Sequence, residues 1–154
     1  MGKKHTQRVR SKKPQSLAGV RPHKSLGQNF LIDEEVIAAI IEASGVTKDT
    51  LVLEIGPGTG ALTLPLAEQA GHVIAVDLDP DMIDGLRVKT FGLDNVDLIL
   101  GDILETDIRK ITEKSMEEHG LSELRIIGNL PYYITTPIIM KLLETGTGAK
   151  SITV

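Results

Sequence analysis

Cysteine and tryptophan are both missing from the 154 residues, and aromatic side chains make up only 3%. Without cysteine there is no disulfide framework and no thiolate chemistry, which suits a reducing compartment. No apolar run approaches the roughly 18 residues that a bilayer-spanning helix requires. With mean hydropathy near zero, at +0.03, a transmembrane helix is excluded and a cytoplasmic chain is expected. His5, His23, His72 and His119 are scattered without ligand spacing, so no metal is expected. What is present is 41% hydrophobic residues in a length suited to one domain with one core.

Acids are absent before Asp33, while Lys3, Lys4, Arg8, Arg10, Lys12, Lys13, Arg21 and Lys24 are all basic. Of 17 basic and 21 acidic residues, this leaves an acidic body of net −12 joined to an arm of +8. Residues 1–22 show no apolar periodicity and read as a flexible basic arm. Such an arm is either a solubilising leader or a contact for phosphate, where each neutralised phosphate releases counterion.

Beyond the arm, apolar periodicities alternate between strand and helix. Asp33 caps a helix carrying Val36, Ile37, Ile40 and Ile41, and Gly45 ends it. Strands follow at 51–55, 73–76, 96–100 and 125–128, with a fifth beginning at Ser151. Helices are expected between them at 62–70, 82–88, 107–118 and 137–143, with Pro80 and Pro137 placed at helix starts. Alternation of this kind needs crossovers, so the class is a doubly wound α/β fold with a mainly parallel sheet. Ligands in such sheets sit beyond the carboxyl ends of the strands, where strand order reverses.

Four strand ends carry the chemistry. The first reads Glu54-Ile55-Gly56-Pro57-Gly58-Thr59-Gly60-Ala61, a glycine turn that lets backbone approach a ligand. Gly56-x-Gly58-x-x-Ala61 also satisfies the dinucleotide fingerprint, so a nicotinamide cofactor stands beside S-adenosylmethionine as an alternative. Glu54, two residues before the first glycine, favours the class I methyltransferase pattern, whose ligand has a cationic end. Asp77 ends the second strand where a carboxylate would accept from both ribose hydroxyls, and Asp79 is placed to cap the next helix. Asp102 ends the third strand, where an acid would accept from the exocyclic amine of the cofactor adenine.

The fourth strand end, Asn129-Leu130-Pro131-Tyr132-Tyr133, is the most specific signal in the chain. Methylating an exocyclic adenine amine requires its lone pair to be turned out of conjugation and aimed at the methyl group. The Asn129 side-chain oxygen and the Leu130 carbonyl are suited to hold the two amine hydrogens, Pro131 to fix the turn, and Tyr132 to stack on the base. The step needs no general base, because the sulfonium is already a good leaving group. Tyr133 is expected in the core.

Lys24 to Leu31, Glu54 to Thr63, Gly101-Asp102 and Asn129 to Tyr132, in that order, resemble the rRNA adenine N6-dimethyltransferase family, on its KsgA (RsmA) branch rather than among the Erm resistance enzymes. The resemblance runs from about His23 to Val154. It implies that Gln28, Asn29 and Leu31 contact S-adenosylmethionine, that Gly56, Gly58 and Asp77 bind it, and that Asp102 and Ile103 hold its adenine. It implies further that Asn129 to Tyr132 form the target-base site, with Asn129 also near the cofactor. The implied reaction converts two adjacent adenines near the 3′ end of small-subunit rRNA to N6,N6-dimethyladenosine, with the immature small ribosomal subunit as partner and a monomeric enzyme when complete. The family's usual acid at Asp77 is Glu, one methylene longer. Residues 23–154 correspond to the N-terminal part of the catalytic domain, and the family's C-terminal helical domain is expected to be absent. A non-catalytic role in RNA binding or ribosome assembly is the alternative from a different class, motivated by the basic arm.

Overall fold

The computed structural model describes residues 33–154. Its elements are α1 (Glu34–Ser44), β1 (Thr50–Ile55), α2 (Thr63–Gln69), β2 (His72–Asp77), α3 (Pro80–Lys89), β3 (Val96–Leu100), α4 (Ile108–His119), β4 (Glu123–Gly128), α5 (Tyr132–Thr145) and β5 (Ser151–Thr153). The five strands form one sheet in the order β3-β2-β1-β4-β5. Every pairing is parallel. Strand order therefore reverses between β1 and β4, and the crevice expected of this topology opens beyond Ile55 and Gly128.

Local chemistry explains the helix ends. Asp33 accepts hydrogen bonds from the N–H groups of Glu35 and Val36, and Gly45 closes α1 in the left-handed conformation. Asp79 caps α3 through the Asp81 N–H, with Pro80 in the first turn. Asp107 caps α4, which Gly120 closes. The caps at Asp33, Gly45 and Asp79 follow the sequence expectation, whereas Asp107, expected as the first residue of its helix, is the cap before it.

The core lies on both faces of the sheet, which is why β1 and β2 are buried throughout instead of alternating. On one face Leu51, Leu53 and Ile55 of β1 meet Ile108 of α4 and Ile138 and Leu142 of α5. On the other, Val52 and Val73 meet Ile41 of α1 and Leu66 and Ala67 of α2. Burying a side chain of this size stabilises the fold by about 1.5–3 kcal/mol. Away from the site, the buried His72 ring at the start of β2 stacks on His119 at 3.9 Å. His72 Nε2 lies 2.9 Å from Asp97 Oδ2, so the end of α4 is tied to the sheet edge.

The last helix departs from the sequence expectation. It begins at Tyr132, not Pro137, and Pro137 sits inside it. The run of tyrosines and β-branched residues before Pro137 has weak helix propensity, but packing overrides propensity. Ile134, Ile138 and Leu142 recur at helical spacing and all join the same core cluster. The Thr135 hydroxyl, 2.9 Å from the Pro131 carbonyl, satisfies one acceptor of the first turn.

Candidate functional site

A cleft opens across the carboxyl ends of β1, β2, β3 and β4 with an empty volume of about 950 Å³, mouth included. Its walls take in Glu54, Gly56, Gly58, Asp77, Asp102, Ile103, Asn129, Leu130 and Pro131. All four strand ends singled out from the sequence thus meet in one place.

The β1–β4 register creates the closest part of the site. Ile55 and Gly128 are partners, so the glycine turn and the Asn129 turn leave the sheet side by side. A Cβ added at Gly56 would lie 3.9 Å from Leu130 Cδ2 and 4.0 Å from the Asn129 carbonyl oxygen. A group held by the first turn therefore faces a group held by the second.

Within the glycine turn, Gly56, Gly58 and Gly60 all have positive φ, a conformation that side chains rarely adopt. Their N–H groups are committed inside the chain. Gly56 donates to the Val76 carbonyl at 2.9 Å and Gly60 to the Pro57 carbonyl at 2.9 Å. Gly58 donates to Asp77 Oδ2 at 3.2 Å. Lys89 Nζ donates to the Thr59 carbonyl at 2.5 Å, bracing the same loop from α3.

The electrostatics of the cleft are one-sided. Glu54, Asp77 and Asp102 line it, and no lysine, arginine or histidine does so among the described residues. Glu54 is 1% exposed, and its Oε2 accepts from the Thr63 hydroxyl at 2.6 Å. Burial pushes its carboxyl up to about 7, against the opposing pull of the Thr63 bond and with a further push from nearby Asp77. Asp77 is also held above its ordinary value, first by burial, although the N–H groups of Asp79 and Gly58 oppose this. A pyrophosphate would meet three carboxylates here and would find the glycine N–H groups already used. Both features disfavour the nicotinamide alternative and suit a ligand with a cationic end.

One expectation near the Asn129 turn needs correction. Tyr133 is 60% exposed and lines the cleft, so it is not a core residue. Tyr132 is 94% exposed and lies outside the cleft lining. Both follow from the early start of α5, because successive residues of a helix point about 100° apart. Gln28, Asn29 and Leu31, and the basic arm, lie outside the described residues. The sequence reading missed Thr63, whose hydroxyl reaches Glu54 across the turn, and the apolar wall of Ile134 and Ile138. The i, i+4 spacing of the two isoleucines was the available signal for that wall.

Comparison with known proteins settles the family. The profile of the ribosomal RNA adenine dimethylase family matches residues 19–154. This chain belongs to that family. The ribosomal RNA small subunit methyltransferase A of Lachnoclostridium phytofermentans is 48% identical over 132 residues, covering 85% of this chain and 44% of the relative. The Bacillus licheniformis protein of the same name is 42% identical over 146 residues, covering 95% of this chain and 49% of the relative. The chain therefore spans about half the length of the curated relatives it matches. Among solved structures, the 23S rRNA methyltransferase ErmE superposes with a TM-score of 0.63 at 34% identity, over 77% of this chain and 44% of that one. A dimethyladenosine transferase from Plasmodium falciparum gives 0.66 at 28% identity, over 81% and 42%. The fold of this dimethylase-family chain is accordingly the Rossmann-like one of class I methyltransferases, and its named curated relatives lie on the small-subunit branch expected from the motifs. Among the described residues, no helix is long and apolar enough to cross a membrane.

Proposed function

We propose that this chain carries the cofactor-binding and base-holding part of an enzyme that methylates N6 of two adjacent adenines near the 3′ end of small-subunit rRNA, giving N6,N6-dimethyladenosine. The observation that carries the reading is the side-by-side exit of the Gly56 and Asn129 turns from β1 and β4. The acid-lined cleft fits S-adenosylmethionine, which would supply an activated methyl group on a sulfonium. Glu54, Gly56, Gly58 and Asp77 would hold its cationic and ribose portions, and Asp102 and Ile103 its adenine. Gln28, Asn29 and Leu31 are assigned to the same cofactor on the family resemblance alone.

At the facing turn, the Asn129 side-chain oxygen and the Leu130 carbonyl accept the amine hydrogens of the target adenine. This turns the nitrogen lone pair toward the methyl donor. Pro131, at φ −60° and ψ 143°, sets the direction of the turn and adds no competing N–H. Tyr132 projects outward from the first turn of α5, where a base approaching from solvent can stack on it. Catalysis is then positioning together with stabilisation of the charge that grows on the amine. The partner is small-subunit rRNA, presented by the immature subunit in the cytoplasm, and the complete enzyme acts as a monomer.

Two measurements test this. Calorimetric titration of the chain with S-adenosylmethionine and with NAD is expected to show binding of the first only; NAD binding alone would end the methyltransferase reading. Mass spectrometry of small-subunit rRNA from cells lacking the gene is expected to show loss of N6,N6-dimethyladenosine. Intact dimethylation in such cells would remove the rRNA assignment.

A further inference from the structure

Glu54 is a fully buried carboxylate in the wall of a cleft that holds two more acids and no cation among the described residues. Only one of its oxygens is committed, Oε2 to the Thr63 hydroxyl at 2.6 Å. No hydrogen bond of the described residues reaches Oε1. Thr63 opens α2 and is itself buried, so its hydroxyl is fixed in place by the packing of that helix against the sheet. A buried, half-satisfied carboxylate is costly unless a proton or a cation completes it.

We propose that the Thr63–Glu54 pair is a proton-linked receptor for the cofactor's ammonium group, so that the cofactor enters as a proton leaves Glu54 for solvent. This rests on the S-adenosylmethionine reading above and adds a control to that site. Thr63 is a positioning residue. It donates to Oε2 and leaves Oε1 as the acceptor available to the cleft, and its bond favours the ionised carboxylate. Among the described residues, the titratable groups that line the cleft with Glu54 are Asp77 at the end of β2, Asp102 after β3 and Tyr133 on α5, and none of them supplies positive charge. Without ligand, burial and Asp77 keep the Glu54 proton in place up to about pH 7. An arriving ammonium reverses that balance and displaces the proton, with no bond made or broken in the cofactor.

The test is calorimetry of this chain with S-adenosylmethionine between pH 5.5 and 7.5, in paired buffers of different ionisation enthalpy. Below pH 7 the affinity should rise with pH, being about tenfold weaker at pH 6 than at full ionisation, and binding at pH 6.5 should release more than half a proton. Glu54→Gln should bind more weakly and lose both the rising limb and the proton release, whereas the cofactor's own amine still titrates in that variant. Thr63→Val should move the limb to higher pH and Thr63→Ser should restore it. Binding that is independent of pH and buffer, or an unchanged proton release in Glu54→Gln, overturns the proposal and leaves the cofactor assignment standing. No binding at any pH overturns the cofactor assignment itself, and the proposal with it.

Discussion

Ile55 and Gly128 are partners across the β1–β4 pair, and a Cβ added at Gly128 would lie 2.9 Å from the Ile55 carbonyl oxygen and 3.1 Å from Leu130 Cδ2. The residue before the Asn129 turn is glycine because backbone occupies the space a side chain would need. Gly128→Ala is expected to force β4 away from β1 and to displace Leu130. It should cost about 1–3 kcal/mol in urea denaturation, the range of an overpacked core, and weaken S-adenosylmethionine binding as well. A variant as stable as the parent with unchanged affinity would show that the two turns need not be so close.

Asp77 accepts with both oxygens, Oδ2 from the Gly58 N–H of the glycine turn and Oδ1 from the Asp79 N–H at 2.9 Å. Asp77→Ala leaves both donors without this partner, at about 1–3 kcal/mol for each one left buried and unsatisfied. Amide hydrogen exchange at Gly58 should quicken in that variant by at least tenfold. Unchanged protection of the Gly58 amide would show that the loop holds its shape without the carboxylate.

Glu54 makes stability depend on pH in a direction opposite to that of a salt-bridged acid. Its folded-state value of about 7 lies above the ordinary 4.5, so the native chain holds the proton more tightly than the unfolded one. That advantage is complete below about pH 4.5 and is lost as pH rises to about 7. Glu54→Gln carries no such proton, so it should gain on the parent by up to about 3 kcal/mol between pH 4.5 and 8. Urea midpoints at those two pH values give the comparison, and an equal difference at both would refute the burial argument.

The two tyrosines after Pro131 should separate by ligand. Tyr133 lines the cleft and Tyr132 does not, so Tyr133→Ala is expected to weaken S-adenosylmethionine binding by about two- to tenfold, from an aromatic contact of about 0.5–1.5 kcal/mol. Tyr132→Ala should leave that affinity unchanged. Calorimetry on the two variants decides it, and the reverse ranking would reassign both side chains.

The pattern of what was readable in the residues follows from how local each cause is. The glycine turn and the caps at Asp33 and Asp79 depend on the backbone within a few residues, so residue type alone announced them. The strands of the central sheet were legible as short apolar runs because both of their faces are covered. The start of α5 was not, because Ile134, Ile138 and Leu142 are recruited by a core built from β1, β4 and α4. That five-residue displacement is also why Tyr133 was expected inside. Thr63 was invisible as a site residue for a related reason: nothing in a threonine at the start of a helix indicates a carboxylate nine residues earlier, and only the turn between them brings the two to 2.6 Å.

The glycine bend has the N–H groups of Gly56, Gly60 and Gly58 bonded within the chain, to Val76, Pro57 and Asp77. Its shape is therefore inherited from folding and does not have to be acquired at the moment of encounter. A receptor surface already in its bound form loses little conformational freedom on association, so less of the contact energy is diverted into ordering the protein. The bend acts as a rigid rim, and any adjustment on capture falls to the side chains around it.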